Sequence, residues 1–73
     1  MSYEIRNEYG TRVSDTFGTR DFAIISATKL AKREGKDFHV YICGDRYGPA
    51  CFVVTVYPNG MRVWADGIKC EYA

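Results

Sequence analysis

The sequence has almost no excess of charge of either sign. It contains 10 Lys and Arg residues against 9 Asp and Glu residues, which gives a formal net charge of +1. Such a balance does not create the positive field that drives nonspecific binding to nucleic acid or to an anionic membrane. Any electrostatic function of this chain therefore depends on a local cluster of charges.

The sequence also lacks the converging groups that catalysis or metal binding requires. Its one histidine, His39, has no carboxylate or nucleophile arranged around it, and Cys43 lies four residues along the same predicted strand, about 13 Å away. The three cysteines, Cys43, Cys51 and Cys70, do not have zinc-type spacing. No glycine-rich phosphate loop precedes a helix. We therefore predict a protein without enzymatic activity, bound metal or cofactor.

Long apolar runs are absent as well. No stretch approaches the ~20 residues that a membrane-spanning helix needs, and the start of the chain has no basic and then apolar leader region. An odd number of cysteines without a paired spacing favours reduced thiols, and one disulfide with one free thiol is the alternative. We expect a soluble, cytoplasmic protein.

The composition is that of a folded domain. Hydrophobic residues make up 47% and charged residues 26% of the chain, which argues against disorder. The 73 residues suffice for one domain, residues 1–73, because so short a chain cannot bury two separate cores. The expected free energy of unfolding is about 4 to 11 kcal/mol.

Period-two alternation of apolar residues predicts a series of strands. They are Tyr3–Arg6, a weaker Thr11–Phe17, Phe38–Cys43, Cys51–Tyr57, Met61–Ala65 and a short Ile68–Tyr72. Tyr57-Pro58-Asn59-Gly60 and Asp66-Gly67 predict hairpin turns, and Gly44–Ala50 is typical of a loop.

The predicted helix begins at Asp21, whose side chain can cap the first turn, and ends at Gly35, which suits a left-handed residue. Phe22 and Ile25 fall outside its apolar stripe, so a shorter helix capped by Ser26 is the alternative. The stripe consists of Ile24, Ala27, Leu30 and Ala31. Together the elements predict an α+β fold, a single helix packed on a four- or five-stranded antiparallel sheet in a ββαβββ-like order.

Alternation also divides the sheet residues between two sides. The side covered by the helix is predicted to carry Phe38, Val40, Ile42, Phe52, Val54, Val56, Met61 and Val63. The open side is predicted to carry His39, Tyr41, Val53, Thr55, Tyr57, Arg62 and Trp64. An apolar and aromatic open side indicates a contact surface, although cross-strand aromatic and Thr pairs also stabilise a sheet without a partner.

Four cations recur at steps of three and four residues on the helix, namely Lys29, Lys32, Arg33 and Lys36. Like charges at this spacing repel one another, so local stability does not explain them, and a merely solvated helix face is the alternative. Our first hypothesis is that this row, with Tyr57, Arg62 and Trp64, docks on a larger protein or ribonucleoprotein complex.

Nucleic-acid binding is the second hypothesis. Bases would stack on the aromatic open side while the basic row meets phosphates, although the near-neutral net charge counts against it. Self-association through the final edge strand is a third hypothesis. The corresponding states are a monomer or a weak homodimer.

Four segments share their spacing and residue types with a known family. They are Tyr3–Arg6, Ala27–Glu34, Phe38-His39 and Asn59–Asp66. In this pattern the chain resembles small phage-encoded anti-CRISPR proteins, in particular inhibitors of the type I-F surveillance complex that are built from one helix on a curved antiparallel sheet.

The resemblance implies a phage inhibitor that acts in the host cytosol. Such a protein sits on the guide-carrying backbone of a CRISPR effector and prevents target DNA from pairing. The family's basic helix contacts correspond here to Lys29, Lys32 and Arg33, with Arg62 as a further candidate. The longer loop at 44–50 and the tail at 68–73 depart from the family pattern.

Overall fold

A computed structural model describes the backbone of residues 2–43 and 50–70, and the side chains up to residue 65. Its elements are β1 (Ser2–Arg6), α1 (Arg20–Glu34), β2 (Phe38–Cys43), β3 (Ala50–Val56) and β4 (Arg62–Cys70). The strands form one antiparallel sheet in the order β1-β2-β3-β4. The predicted α+β fold is confirmed, with four strands in the described residues. None of the helices described there is long and apolar enough to cross a membrane.

The segment between β1 and α1 does not form the strand predicted at Thr11–Phe17. It meets β1 at two isolated bridges, which involve Arg12 and Phe17. Between them the hydroxyl of Ser14 accepts a hydrogen bond from the amide of Ile5 at 3.3 Å. A side chain thus replaces a backbone rung of the ladder, and the segment covers the outer edge of β1 without extending the sheet.

α1 begins one residue earlier than predicted. Thr19 is the N-cap, and its hydroxyl accepts a hydrogen bond from the amide three residues later at 3.3 Å, which satisfies a free donor of the first turn. Asp21 lies within that turn, and the alternative start at Ser26 is wrong. Gly35 ends the helix at φ 65, as predicted.

The core lies between α1 and the first three strands. Its buried members are Ile5, Ala23, Ile24, Ala27, Ala31, Phe38, Val40, Val54 and Val56. Leu30 is partly buried against them, so the predicted apolar stripe of the helix is confirmed. Within the described residues, no Cα atom of α1 comes within 8 Å of β4. The helix therefore covers three strands and leaves β4 beside it.

The turn between β3 and β4 sets a register that differs from the predicted one. The amide of Tyr57 donates to the carbonyl of Met61, and the amide of Gly60 donates to the carbonyl of Tyr57, both at 2.9 Å. Gly60 adopts φ 87. A three-residue loop with a left-handed glycine fits these hydrogen bonds.

This register transfers β4 side chains to the other side of the sheet. Val54 pairs with Trp64, and Val56 pairs with Arg62. Directly opposite residues share a side, and both valines are fully buried in the core beneath α1. The prediction that Trp64 and Arg62 lie on the open side is therefore wrong. The predicted covered position of Val63 is also wrong, because Val63 pairs with Thr55.

A bulge in β3 places two further residues, Phe52 and Val53, on the sides of the sheet opposite to the predicted ones. The pairing shifts between Val40 and Tyr41, so Tyr41 lies opposite Phe52 and Val53 is left unpaired with β2. Val53 packs against the core, whereas the ring of Phe52 contacts the rings of Tyr41 and His39. Phe52 therefore belongs to the open side and Val53 does not, because an extra residue inverts the alternation.

The predicted hairpin at Asp66-Gly67 is absent, and β4 runs through it as far as Cys70. A second irregularity occurs there, since Trp64 pairs with Val54 and the next β4 residue in register, Lys69, pairs with Phe52. The backbone at 65–68 therefore bulges instead of reversing direction. The predicted final strand merges with β4, and its last two residues lie outside the described part of the chain. Residues 44–49 of the predicted loop Gly44–Ala50 also lie outside it, whereas Ala50 is the first residue of β3.

The cysteines also differ from expectation. Cys43 is a free thiol, but Cys51 is disulfide-bonded. The expectation that all the thiols are reduced is therefore wrong for Cys51.

Two isoleucines in opposite environments provide a test of the packing. Ile5→Ala should lower the free energy of unfolding by about 2 to 5 kcal/mol, because it leaves a cavity under α1. Ile25→Ala, at a side chain that is 49% exposed, should change it by less than about 0.5 kcal/mol. Urea denaturation of both variants measures the difference, and equal losses would contradict the described core.

Candidate docking surface

The side of α1 that faces away from the sheet carries apolar residues in its first half and cations in its second half. Phe22 is 66% exposed and Ile25 is 49% exposed. Lys29, Lys32 and Arg33 are also exposed. Steps of three and four residues connect all five, so they form one row along the helix over about 16 Å.

The helix packing explains why Phe22 and Ile25 do not fit the apolar stripe. The buried residues of α1 are Ala23, Ile24, Ala27 and Ala31, which places the two large side chains on the other side. Neither one contributes to the buried core. Adjacent exposed large apolar side chains indicate a contact surface more strongly than single ones do.

Lys36 does not continue this row. It follows the left-handed Gly35, where the helix has already ended. Instead, Lys36 lines a cleft together with the acidic residues Glu8, Glu34 and Asp37. Of the four predicted cations, three therefore share the outer side of α1, and Lys36 lies among carboxylates.

A second exposed patch lies beside the first half of α1, on β4. Trp64 is 48% exposed, and the guanidinium carbon of Arg20 lies 5.2 Å from the centre of its indole ring. This cation–π contact connects the first residue of α1 to β4. Arg62 lines a surface depression with Ile25 and Asp21. The predicted residues Arg62 and Trp64 thus adjoin the helix rather than the open side.

We call the combined region the helix–β4 surface. It comprises Phe22, Ile25, Lys29, Lys32, Arg33, Arg62 and Trp64. Tyr57, the remaining predicted residue, is partly buried at the start of the hairpin turn. Its described contacts do not connect it to α1.

The rings on the open side of the sheet are occupied by one another. The centre of the Phe52 ring lies 6.1 Å from that of His39 in an edge-on arrangement and 5.7 Å from that of Tyr41. The Arg6 guanidinium covers the Tyr41 ring at 4.2 Å, and His39 Nδ1 lies 2.8 Å from Thr55 Oγ1. The interplanar angles are 67° for the first pair and 58° for the second, so these rings do not form one flat platform for stacked bases.

A buried carboxylate organises the neighbouring part of the open side. Glu4 forms an ion pair with Arg6, with Nε and Oε2 2.7 Å apart, and accepts a hydrogen bond from the Cys43 thiol at 2.7 Å. Burial opposes ionisation of Glu4, but these two hydrogen bonds and the nearby positive charges of Arg6 and Arg12 keep its pKa below the usual value of 4.5. Glu4 is therefore a charged group that depends on its partners.

The same contact makes Cys43 a poor nucleophile. Burial, followed by the hydrogen bond to Glu4 and the negative charge of Glu4, raises the pKa of the Cys43 thiol to about 11. A thiol with such a pKa stays protonated near neutral pH, and the thiolate is the reactive form. In the residues whose side chains are described, no group of three or more His, Cys, Asp or Glu could hold a metal ion.

Sequence reasoning did not identify the Glu4 cluster or the Arg20–Trp64 contact. Glu4 and Arg6 share a side of β1 because they are two residues apart, and this spacing was the available signal. The contact with Cys43 depends on the pairing of β1 with β2, and that of Arg20 depends on the β4 register. Neither follows from spacing alone.

Comparison of the chain with protein-family models, curated proteins and solved structures finds no match in any of the three. The resemblance to anti-CRISPR proteins therefore stays a prediction.

The Glu4 cluster predicts a specific pH dependence of stability. The pKa of Glu4 is lower in the folded protein than in the unfolded chain, so its ionisation stabilises the fold above about pH 4.5 and loses this effect as the pH falls. Glu4→Gln should lower the free energy of unfolding by about 1 to 3 kcal/mol at pH 7, and this difference from the unchanged protein should shrink below about pH 4.5. Chemical denaturation across pH 3 to 7 measures it.

Glu8→Gln is the matched control, since Glu8 is exposed and its replacement should leave the profile unchanged. A deficit of the Glu4 variant that is the same at every pH would mean that its carboxylate gains nothing from ionisation in the fold.

Proposed function

We propose that the chain is a non-enzymatic binding protein that docks on a larger partner through the helix–β4 surface. The observation that carries this proposal is the row on the outer side of α1, where the exposed Phe22 and Ile25 continue directly into three cations. Neither half of the row contributes to the packing of the fold.

The chemistry of this row supports a mixed partner surface. Phe22, Ile25 and Trp64 offer apolar area that water does not favour, and burying it would drive association. Lys29, Lys32 and Arg33 would select a partner site with negative charge beside an apolar depression. Trp and Arg are also among the residue types that contribute most to binding energy at interfaces.

The resemblance to phage-encoded anti-CRISPR proteins suggests which partner to test. On this proposal the chain is an inhibitor that docks on a CRISPR effector, such as the type I-F surveillance complex, and blocks its engagement of nucleic acid. The cations of α1 would occupy positions that otherwise meet phosphates of the target DNA, and the apolar half would contact the effector protein.

Direct nucleic-acid binding is the second candidate function. The basic row favours it, because phosphate contacts supply most of the affinity of nonspecific binding. The net charge of +1 and the mutually engaged rings of His39, Tyr41 and Phe52 count against it. Nucleic-acid binding would require the basic row, but it would not require Trp64 or the apolar half of α1.

The basic row can be removed without disturbing the helix. A variant with Lys29→Gln, Lys32→Gln and Arg33→Gln keeps residues of good helix propensity and should retain its melting temperature. Binding to the effector should weaken at least tenfold, because the attraction to negative charge is lost. Isothermal titration calorimetry measures the affinity of the triple variant and of the unchanged protein for the effector.

Arg12→Gln is the control for a cation elsewhere, because Arg12 is exposed near the outer edge of β1. It should bind like the unchanged protein. Full affinity in a folded triple variant would exclude the basic row as a contact.

Trp64 tests the β4 part of the surface. Trp64→Ala should lower affinity at least tenfold but shift the melting temperature by only a few degrees, because about half of its side chain is exposed. Calorimetry and thermal unfolding of one preparation separate the two effects. A large loss of stability with unchanged affinity would show that Trp64 serves the fold alone.

The proposed activity itself is tested with purified components. Binding of target DNA to a type I-F surveillance complex is measured with increasing amounts of the chain, and inhibition that the triple variant relieves supports the proposal. A tagged chain is also incubated in bacterial lysate with and without nuclease. Retention of partners that nuclease abolishes, together with no effect on the complex, would favour the nucleic-acid candidate instead.

A further inference from the structure

The sheet is wider than the helix that covers it. Neighbouring strands lie about 4.8 Å apart, so four strands span about 14 Å between the outer two, whereas a helix with its side chains is about 10 to 12 Å across. α1 lies over β1, β2 and β3, and in the described part of the chain none of its Cα atoms comes within 8 Å of β4. A strip beside α1, along the start of β4, is therefore not covered by the helix.

This strip has one wall on β4 and one on α1, and both are open to solvent. Arg62 and Trp64 are exposed on β4, on the side of the sheet that faces the helix. Across from them, Asp21 and Ile25 are exposed on α1 and line a surface depression together with Arg62. We call the space between these four residues, with its continuation along α1, the α1–β4 groove.

Helical spacing extends the α1 wall beyond Ile25. Thr28 and Lys32 follow it at steps of three and four residues, and Lys32 lies about 16 Å from Asp21 along the helix axis. The Thr28 hydroxyl donates a hydrogen bond to the carbonyl of Ile24 at 2.8 Å, so this donor is already satisfied within the helix. The α1 wall is thus about three turns long.

Positive charges border most of the groove. Arg62 lies on the β4 wall, and Lys32 lies at the far end of the α1 wall. At the near end, the guanidinium carbon of Arg20 lies 5.2 Å from the centre of the Trp64 ring. Asp21 is an anion beside this contact. The charges therefore favour an acidic occupant, and they oppose a second copy of α1, which would bring its own cations.

We propose that the α1–β4 groove binds an amphipathic helix of the partner, with apolar residues on one side and acidic residues along its edges. This inference rests on the docking function proposed above and names the element of the partner that docks. The apolar side of the partner helix packs against Ile25 and Trp64, and its carboxylates pair with Arg62 and Lys32. The partner helix lies beside α1 as a second helix on the sheet.

The position of the groove favours a helix over a strand or a nucleic acid. An added strand pairs with the backbone at the edge of a sheet, whereas the groove lies on a face of the sheet and includes Ile25 of α1. A nucleic acid would use the cations but would not require Ile25. Burial of Ile25 and Trp64 together therefore distinguishes the proposed occupant from both.

Trp64 is the single tryptophan of the chain, so its fluorescence reports on the groove in the whole protein. The probe is a synthetic peptide of about 14 residues, or three to four helical turns, with Leu at steps of three and four and Glu and Ala elsewhere. Its binding should shift the Trp64 emission to shorter wavelength, with a Kd below about 1 mM. A peptide with Lys in place of Glu should bind roughly tenfold more weakly or less.

Two substitutions test the walls separately. Ile25→Gln removes an apolar side chain without changing the charge, and Arg62→Gln removes a cation from β4. Each should weaken binding of the acidic peptide roughly fivefold or more, and thermal unfolding checks that each variant is folded. Val13→Gln is the matched control, because Val13 is 41% exposed near the outer edge of β1, and it should bind like the unchanged protein.

An emission of Trp64 that does not respond to the acidic peptide, or responds equally to both peptides, would overturn the groove. Full affinity of the Ile25→Gln variant would also overturn it. A stronger response to a DNA duplex of similar length would overturn it in favour of nucleic-acid binding. A shift on concentrating the chain alone would do so in favour of a second copy.

Titration of the CRISPR effector separates this inference from the proposed function. Effector binding that Ile25→Gln does not weaken would overturn the groove and leave the docking function standing. Binding of the acidic peptide without any binding of the effector would support the groove and count against the effector as the partner.

Discussion

The arrangement of this domain depends on the close contact between the small residues of α1 and the sheet. Ala23, Ala27 and Ala31 are all fully buried, and alanine lets a helix approach a sheet with little intervening side chain. Their position decides which residues of α1 point away from the core. Because α1 lies over β1, β2 and β3, it also leaves β4 beside it, and the exposed apolar and basic residues of the helix adjoin Arg62 and Trp64.

The open side of the sheet satisfies its own polar and aromatic groups. Glu4 is held by Arg6 and the Cys43 thiol, and the rings of Tyr41 and Phe52 pack against each other. Side chains that already form hydrogen bonds or ring contacts within the fold are less available to bind another molecule. We therefore place the proposed docking surface on the helix–β4 surface, although the sequence pattern suggested both the basic row of the helix and the open side of the sheet.

The structure differs from the sequence reasoning mainly in the register of the sheet. A slip of one residue moves a side chain to the other side, and the turn at 57–60 and the extra residue Val53 each caused such a slip. As a result, the structure places Arg62, Trp64 and Phe52 each on the side of the sheet opposite to the predicted one. The predicted row of cations was less affected, because helical spacing holds within one element, and only Lys36 fell outside it once the helix had ended.

The sequence by itself determined the α+β class, the apolar stripe of α1, the glycine that ends the helix and the basic row on its outer side. These features are local, since periodicity and capping depend on residues within a few positions of one another. Only the tertiary structure decided which side of the sheet carries Trp64 and which partners hold Glu4. Each of those depends on pairing between distant segments, and turns and bulges set that pairing by a single residue.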